Sequence, residues 1–210
     1  MIRVGYAQTN LRSGFTATGT AFFPFTGTGI PLTSFQFDTE NLYGISIQTL
    51  NATGATVENI TWDDWTYEDP CWVDSEGNPT TMVVSPGDGL WIQGATGDSI
   101  TTAGKVGTSD VDVVWETDGF RLVANPYPVA VSVADLVFTT TAGDLYGISI
   151  QTLNATGGTV DNITWDDWTY EAPCWVDSDG NPATATIDPG TAVWIQAGEG
   201  DTLRIPAPEL

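Results

Sequence analysis

The sequence predicts an all-β fold with almost no helix, arranged as two tandem homologous units that are either β-sandwiches or barrel-like. Short segments alternate apolar and polar residues, as around Tyr43, Ile45 and Ile47, and turn-forming residues separate these segments. No window of a dozen residues places apolar side chains at the 3.6-residue spacing of an amphipathic helix. Periodicity does not distinguish a sandwich from a barrel, so both architectures stay open.

An internal repeat divides the chain into two parts. Residues 42–79 match residues 145–182 at a constant offset of 103, and all but four of the 38 positions are identical. The four exchanges are Ala55/Gly158, Glu58/Asp161, Asp69/Ala172 and Glu76/Asp179. A duplication of this kind indicates two copies of one structural unit. We place the first repeat at residues 1–106 and the second repeat at residues 107–210, with hardly any spacer between them.

Charge and composition restrict the classes of function. The chain has 27 acidic and 5 basic residues, and its net charge is -22. A nucleic-acid partner is not expected, because a groove along a phosphate backbone needs clustered Lys and Arg. Membrane insertion is not expected either, since no apolar stretch reaches the length of a spanning helix. We expect an extracellular or cell-surface protein, in a mature form whose targeting segment is absent from the chain.

Side chains that commonly carry catalysis are scarce, so we expect no enzymatic activity. The chain has no His, the usual general base, and neither Cys has an evident activating partner. The carboxylate pairs Asp63-Asp64 and Asp166-Asp167 leave a glycoside hydrolase as the weakest alternative. Because neighbouring residues on a strand point to opposite faces, one Asp of each pair is predicted to face solvent while the other caps a bend.

The Trp residues are candidates both for the core and for a ligand surface. Eight of the nine form four pairs related by the repeat: Trp62/Trp165, Trp65/Trp168, Trp72/Trp175 and Trp91/Trp194. Large aromatic side chains fill a β core well. An exposed Trp62 or Trp65 beside Asp63 would instead stack on a sugar ring, as would Trp165 or Trp168 beside Asp166. Both interpretations stay open at this stage.

Calcium is the one candidate cofactor, in two acidic loops that resemble the start of a calcium-binding loop. The candidate ligands are Asp74, Glu76 and Asn78 in the first repeat and Asp177, Asp179 and Asn181 in the second. The later bidentate Glu of an EF-hand is missing. The alternative is a hairpin turn in which Asp, Gly and Asn serve the backbone.

The two Cys residues occupy equivalent positions of the repeats. Cys71 and Cys174 each stand between a Pro and a Trp. A disulfide between equivalent points of two tandem units requires a pseudo-twofold axis that brings them together. We therefore expect two buried free thiols.

Residues 119–128 (GFRLVANPYP) and the Trp-Ile segments at Trp91 and Trp194 carry a family resemblance. The pattern resembles exported tandem-repeat β proteins of environmental, Verrucomicrobia-like bacteria, in which a G-F-N-L-V-G-N-P-Y-P run opens the unit and P-G-x-G-F-W-I lies near its end. This chain departs from the pattern at Arg121 and Ala124. The resemblance implies export and a β fold, and it supplies no catalytic residues.

The leading expectation for function is an extracellular structural subunit that self-assembles head to tail into a filament or surface array. The terminal strands, with Ile2, Val4 and Tyr6 at one end and Leu203 and Ile205 at the other, are expected to have unpaired edges that pair with copies of the protein. If subunits follow one another as the repeats do, the contact is open and forms a fibre. The alternative is a bivalent carbohydrate-binding protein, adhesin- or lectin-like, that binds glycans through one Trp/Asp patch per repeat.

Overall fold

A computed structural model describes residues 3–154, 156 and 158–209. The described chain is all-β, which confirms the predicted fold class, and it contains no α-helix. Three short 3-10 turns occur, at Leu32–Ser34, Leu42–Gly44 and Val133–Asp135. Among the described residues there is no helix long and apolar enough to cross a membrane.

Ten strands fall within the first repeat. They are β1 (Val4–Asn10), β2 (Gly14–Gly19), β3 (Ile30–Pro31), β4 (Gln36–Asp38), β5 (Ser46–Leu50), β6 (Thr56–Asp63), β7 (Cys71–Val73), β8 (Val83–Val84), β9 (Gly89–Gly94) and β10 (Ser99–Lys105). They form a five-stranded sheet in the order β2-β9-β5-β6-β7, a three-stranded sheet in the order β1-β10-β4, and the pair β3-β8. All of these pairings are antiparallel.

Ten further strands fall within the second repeat. They are β11 (Val111–Val114), β12 (Gly119–Ala124), β13 (Val131–Ser132), β14 (Val137–Thr139), β15 (Ser149–Leu153), β16 (Thr159–Asp166), β17 (Cys174–Val176), β18 (Thr186–Ile187), β19 (Ala192–Ala197) and β20 (Thr202–Ile205). Their sheets have the orders β12-β19-β15-β16-β17, β11-β20-β14 and β13-β18. The second set of sheets therefore repeats the strand order of the first.

The larger sheets pack in a sandwich-like arrangement around apolar cores. In the first repeat, Ile47, Ile60 and Ile92 of the five-stranded sheet and Ile100 of the three-stranded sheet share one buried cluster. The second repeat has an equivalent cluster with Ile150, Ile163, Ile195 and Leu203. β-Branched side chains suit such pleated, buried surfaces, and each contributes about 1.5–3 kcal/mol on full burial. No sheet in the described chain closes on itself, so the barrel-like alternative is wrong.

The terminal strands are paired differently from the sequence-based expectation. β1 pairs with β10 along all seven residues, and β20 lies between β11 and β14. Leu203 and Ile205 are buried in that central strand, so the expectation that they lie on an unpaired edge is wrong. The reason is that the first and last strands of each repeat pair with each other. β1 keeps one free edge, with Val4 and Tyr6 exposed, and Ile2 lies outside the described residues.

The two repeats contact each other reciprocally. The carbonyl of Gly190 accepts the N–H of Gly19 at 2.8 Å, and the carbonyl of Gly87 accepts the N–H of Ala124 at 3.0 Å. Isolated bridges join Thr18 to Thr191 and Asp88 to Val123. When equivalent surfaces meet in both directions, the relation is two-fold and closes on itself. The expectation that the repeat junction is an internal example of head-to-tail assembly is therefore wrong.

Candidate ligand-binding platforms

Asp63 and Asp166 hold the sharp bend that follows β6 and β16. Asp63 Oδ1 accepts the N–H groups of Trp65 and Thr66, both at 2.8 Å, and its Oδ2 accepts the Thr66 hydroxyl at 2.7 Å. Asp166 makes the same three bonds with Trp168 and Thr169. These bonds, first of all the Thr66 and Thr169 N–H groups, lower the pKa of each Asp below its ordinary value. The prediction that one Asp of each pair caps a bend is confirmed.

This bend pushes an indole ring into solvent in each repeat. Trp65 and Trp168 are each 86% exposed. The Trp65 indole N–H donates to the Tyr43 hydroxyl oxygen at 2.9 Å, and the Tyr43 hydroxyl donates to Asp64. The second repeat has the same arrangement, in which Trp168 donates to Tyr146 at 2.8 Å and Tyr146 donates to Asp167. We call these clusters of Trp, Tyr and Asp the first and second platforms.

The Tyr of each platform is held as a hydrogen-bond donor. Its bond to the neighbouring carboxylate is the main reason that the pKa of Tyr43 and Tyr146 is raised. A protonated hydroxyl can donate to Asp and accept from Trp at the same time. The indole edge is therefore fixed, while both ring faces stay open to a ligand.

Tyr43 is the platform residue that sequence reasoning placed wrongly. The alternating pattern put it on a strand, whereas it lies in the 3-10 turn Leu42–Gly44, before β5 begins. The Asn41 side chain starts that turn by accepting the Tyr43 N–H at 3.1 Å. Tyr146 is held in the same way by Asp144, at 3.2 Å. Asn41 before Leu-Tyr-Gly was the available signal for a turn.

Trp62 and Trp165 belong to the core edge rather than to the platforms. Trp62 packs edge-on against Trp72 with ring centroids 5.3 Å apart, and Trp165 packs in the same way against Trp175. In each pair the two residues lie directly opposite on neighbouring strands. The structure thus divides the predicted stacking residues into core Trp62 and Trp165, capping Asp63 and Asp166, and exposed Trp65 and Trp168.

The candidate calcium ligands lie at the tips of hairpin loops. Asp74 Oδ1 accepts the N–H groups of Glu76 and Asn78, each at 2.9 Å, and Asp177 makes equivalent bonds to Asp179 and Asn181. Such bonds are typical of turns in which Asp serves the backbone. Within the described ranges no group of three or more His, Cys, Asp or Glu is placed to hold a metal ion. Calcium binding stays a prediction.

Cys71 and Cys174 are both free and only partly buried. Cys71 begins β7 and lies opposite Asp63, while Cys174 begins β17 opposite Asp166. The expectation of free thiols agrees with this arrangement, but the expectation of full burial does not. The reason is that β7 and β17 are edge strands of the five-stranded sheets.

No family model, curated protein or solved structure matches this chain. The resemblance of residues 119–128 to exported tandem-repeat β proteins stays a prediction.

Proposed function

We propose that this protein is a bivalent binder of neutral glycans, with one site on each platform. The observation that supports this most directly is the exposure of Trp65 and Trp168, each 86% exposed and each tied by its indole N–H to a Tyr hydroxyl. Tyr43 and Tyr146, each 55% exposed, extend each indole into an aromatic patch beside a carboxylate, and exposed apolar patches with polar rims commonly mark interaction sites. The ordering hydrogen bond also lowers the conformational entropy that a ligand must remove on binding.

The chemistry of the platforms suits sugars. An indole face packs against the C–H groups of a pyranose ring, and the Asp64 oxygen that does not accept the Tyr43 hydroxyl can accept a sugar hydroxyl. Acidic glycans are disfavoured because the net charge of -22 repels them. Neutral sugars are thus the ligand class that this surface favours.

Two equal sites favour a multivalent target. A surface-bound polysaccharide that engages both platforms gains avidity of roughly 10²–10⁴ over a single site. Such a target places the protein outside the cell or on its surface, and this location forms part of the proposal.

Binding without catalysis is proposed because the carboxylates already have structural partners. Asp63 uses both oxygens to cap the bend, and Asp64 uses one oxygen to accept the Tyr43 hydroxyl, so the first platform offers a ligand one carboxylate rather than two. A glycoside hydrolase needs one acid and one base free to act on the two sides of a glycosidic bond. Turnover of a glycan that vanishes in Asp64→Asn and Asp167→Asn would contradict this part of the proposal.

Isothermal titration against a panel of neutral oligosaccharides tests the proposal. We expect two equivalent sites that depend on the platform Trp residues in the native chain, one such site in Trp65→Ala, and neither of them in the double variant Trp65→Ala/Trp168→Ala. The affinity of an altered platform should fall by roughly tenfold or more. Both substitutions are at the surface and should change stability by no more than about 0.5 kcal/mol.

Tyr6→Ala is the matched control, since Tyr6 is another exposed aromatic residue, 77% exposed, that lies on β1 and outside both platforms. Repeating the titrations with a chelator tests whether calcium, bound at the loops of Asp74 and Asp177, contributes to glycan binding. If a folded native chain shows no saturable binding to any glycan at the Trp65 and Trp168 sites, the proposal fails.

We propose self-assembly as a second candidate because of the free edge of β1. This strand, Val4–Asn10, has no charged residue and no Pro, although the chain is strongly acidic. Val4 is 63% exposed and Tyr6 77% exposed. Edge strands are ordinarily protected by charges or Pro, and β11, the equivalent strand of the second repeat, has Asp112 within it. A β1-to-β1 contact is two-fold, so a filament or surface array requires a further contact.

Sedimentation velocity at low and high salt tests this candidate. We expect association to increase with salt, because the screening length falls from about 30 Å at 0.01 M to about 3 Å at 1 M. Tyr6→Asp should abolish association, while Trp65→Ala should leave it unchanged. Association that persists in Tyr6→Asp excludes β1 as the contact.

A further inference from the structure

A groove of about 470 Å³ lies between the two repeats, apart from both platforms. Residues related by the repeat line it from opposite sides, including Phe15 and Phe120, Gln48 and Gln151, and Trp91 and Trp194. This paired lining follows from the reciprocal packing of the two repeats. None of the described residues that line the groove carries a charge, although the chain has 27 acidic residues.

Aromatic residues of both repeats line the groove, where Phe15, Phe120 and Trp194 are partly exposed and Trp91 is buried. Phe15 stacks on Trp91 with ring centroids 5.4 Å apart and planes 10° apart. Phe120 lies against Trp194 at 5.7 Å with an angle of 49°. The Phe120 N–H also donates to the Ala52 carbonyl at 2.9 Å, which ties the second repeat to a turn of the first.

The groove also presents two amides with unused hydrogen-bonding capacity. Gln48 donates to Ser46 at 3.3 Å and accepts from Thr56 at 3.1 Å. Gln151 donates to Ser149 at 3.4 Å and accepts from Thr159 at 2.8 Å. A Gln side chain has two N–H donors and two oxygen lone pairs, so among the described residues one donor and one lone pair of each amide have no partner.

We infer that this groove binds one neutral oligosaccharide chain. Aromatic faces and amides that both donate and accept are the groups that recognise uncharged sugar rings. The absence of charge from the lining disfavours ions and charged cofactors. Matched groups on the two sides suit a ligand whose own chemical groups repeat along its length.

This inference does not depend on the platform proposal, because the groove shares no lining residue with either platform. The test therefore starts from Trp65→Ala/Trp168→Ala, in which the platforms are disabled and the groove is intact. Cellohexaose, laminarihexaose, xylohexaose and mannohexaose are the probes, titrated calorimetrically. We expect one of them to bind with a single site per chain.

The second step adds Gln48→Glu and Gln151→Glu together to the Trp65→Ala/Trp168→Ala variant. These exchanges keep the side-chain volume and remove the amide donors. We expect the affinity of the bound probe to fall by roughly tenfold or more. Gln8→Glu is the matched control, since Gln8 also donates to a Ser side chain, Ser99 at 2.7 Å, but lies on β1. A circular-dichroism melt establishes that each variant is folded.

Three results would overturn the inference. The first is that no probe binds the double Trp variant. The second is that binding survives the paired Gln exchange. The third is that the neutral apolar dye N-phenyl-1-naphthylamine occupies the groove and no sugar displaces it, which would make the groove a site for apolar ligands. Failure of the platform proposal gives a different result, because the native chain and the double Trp variant would then bind equally.

Discussion

After β12 the chain turns around Asn125, whereas at the equivalent point after β2 it turns around Thr20. Both side chains are completely or almost completely buried. Among the described residues, the Thr20 hydroxyl bonds only to Phe22: it donates to the Phe22 carbonyl at 3.0 Å and accepts the Phe22 N–H at 3.1 Å. Asn125 accepts the Tyr127 N–H at 2.9 Å and also donates to the carbonyls of Val129 at 2.7 Å and Ile187 at 2.8 Å.

The difference shows how two copies of one fold can hold the same corner by different means. The Thr hydroxyl makes a local turn and reaches no other strand. The Asn side chain is longer and has two donors, so it also bonds the turn to the Ile187 carbonyl of β18, 62 residues further along the chain. The second repeat should therefore lose more stability than the first when this side chain is removed.

Asn125→Ala should give the largest effect on stability. It removes the side-chain partner of the buried Ile187 carbonyl, of the part-buried Val129 carbonyl and of the buried Tyr127 N–H, and we expect the free energy of unfolding to fall by about 3 kcal/mol. Thr20→Ala should cost only about 1 kcal/mol. Urea unfolding followed by fluorescence measures both changes, and equal losses would contradict the comparison.

Tyr127→Phe tests the neighbouring difference, because Phe22 stands at the equivalent position of the first repeat. The buried Tyr127 hydroxyl lies 2.7 Å from the Ser109 carbonyl and 3.1 Å from the Ile205 carbonyl. Burial raises its pKa to about 12, so the hydroxyl stays protonated at neutral pH. We expect a loss of about 1–2 kcal/mol in the same unfolding measurement. An unchanged midpoint would show that the single O–H donor, shared between the two carbonyls, contributes nothing net.

Arg121→Thr tests an ion pair that only one side of the repeat interface has. Arg121 bonds to Asp88 of the first repeat at 2.7 Å, whereas the equivalent residues on the other side are Thr16 and Thr191. The pair is partly exposed, so its loss should cost less than about 1 kcal/mol. The cost should shrink at high salt, as measured by unfolding in 0.01 M and 1 M sodium chloride. A cost that does not depend on salt would mean that Arg121 acts by packing rather than by charge.

Acid should act equally on the two platforms, and this is the smallest expected effect. The folded-state pKa of Asp63 and Asp166 is below the ordinary value of 3.8, so their contribution is complete above that value and is lost as the pH falls through the lowered pKa. The loss of each bend is followed by the fluorescence of the indole beside it during acid titration. Trp65→Phe leaves Trp168 to report on the second bend, and Trp168→Phe leaves Trp65 to report on the first. We expect both changes at the same acidic pH, absent in the corresponding Asp→Asn variant. Different midpoints would show that the two bends are not equivalent.

The sequence predicted the local features of the molecule better than the distant ones. The capping role of one Asp in each pair followed from strand geometry, because only neighbouring residues are involved. The Trp65 platform was found only in part, since Tyr43 lies 22 residues away and reaches Trp65 through a turn that the alternating pattern had assigned to a strand. The groove at Gln48 and Gln151 was missed altogether, because its residues come from both repeats.

The sequence by itself determined the duplication, the all-β class and the acidic surface, since all three follow from residue identity and short-range periodicity. Only the tertiary structure decided that β20 is a central strand, that β1 is an edge strand and that the repeats meet reciprocally. Strand pairing and sheet packing join residues far apart in the chain, and periodicity carries no information about which strands become neighbours. The tertiary structure also decided that Trp65 is exposed while Trp62 is partly buried against Trp72, because burial depends on what the rest of the chain places over each side chain.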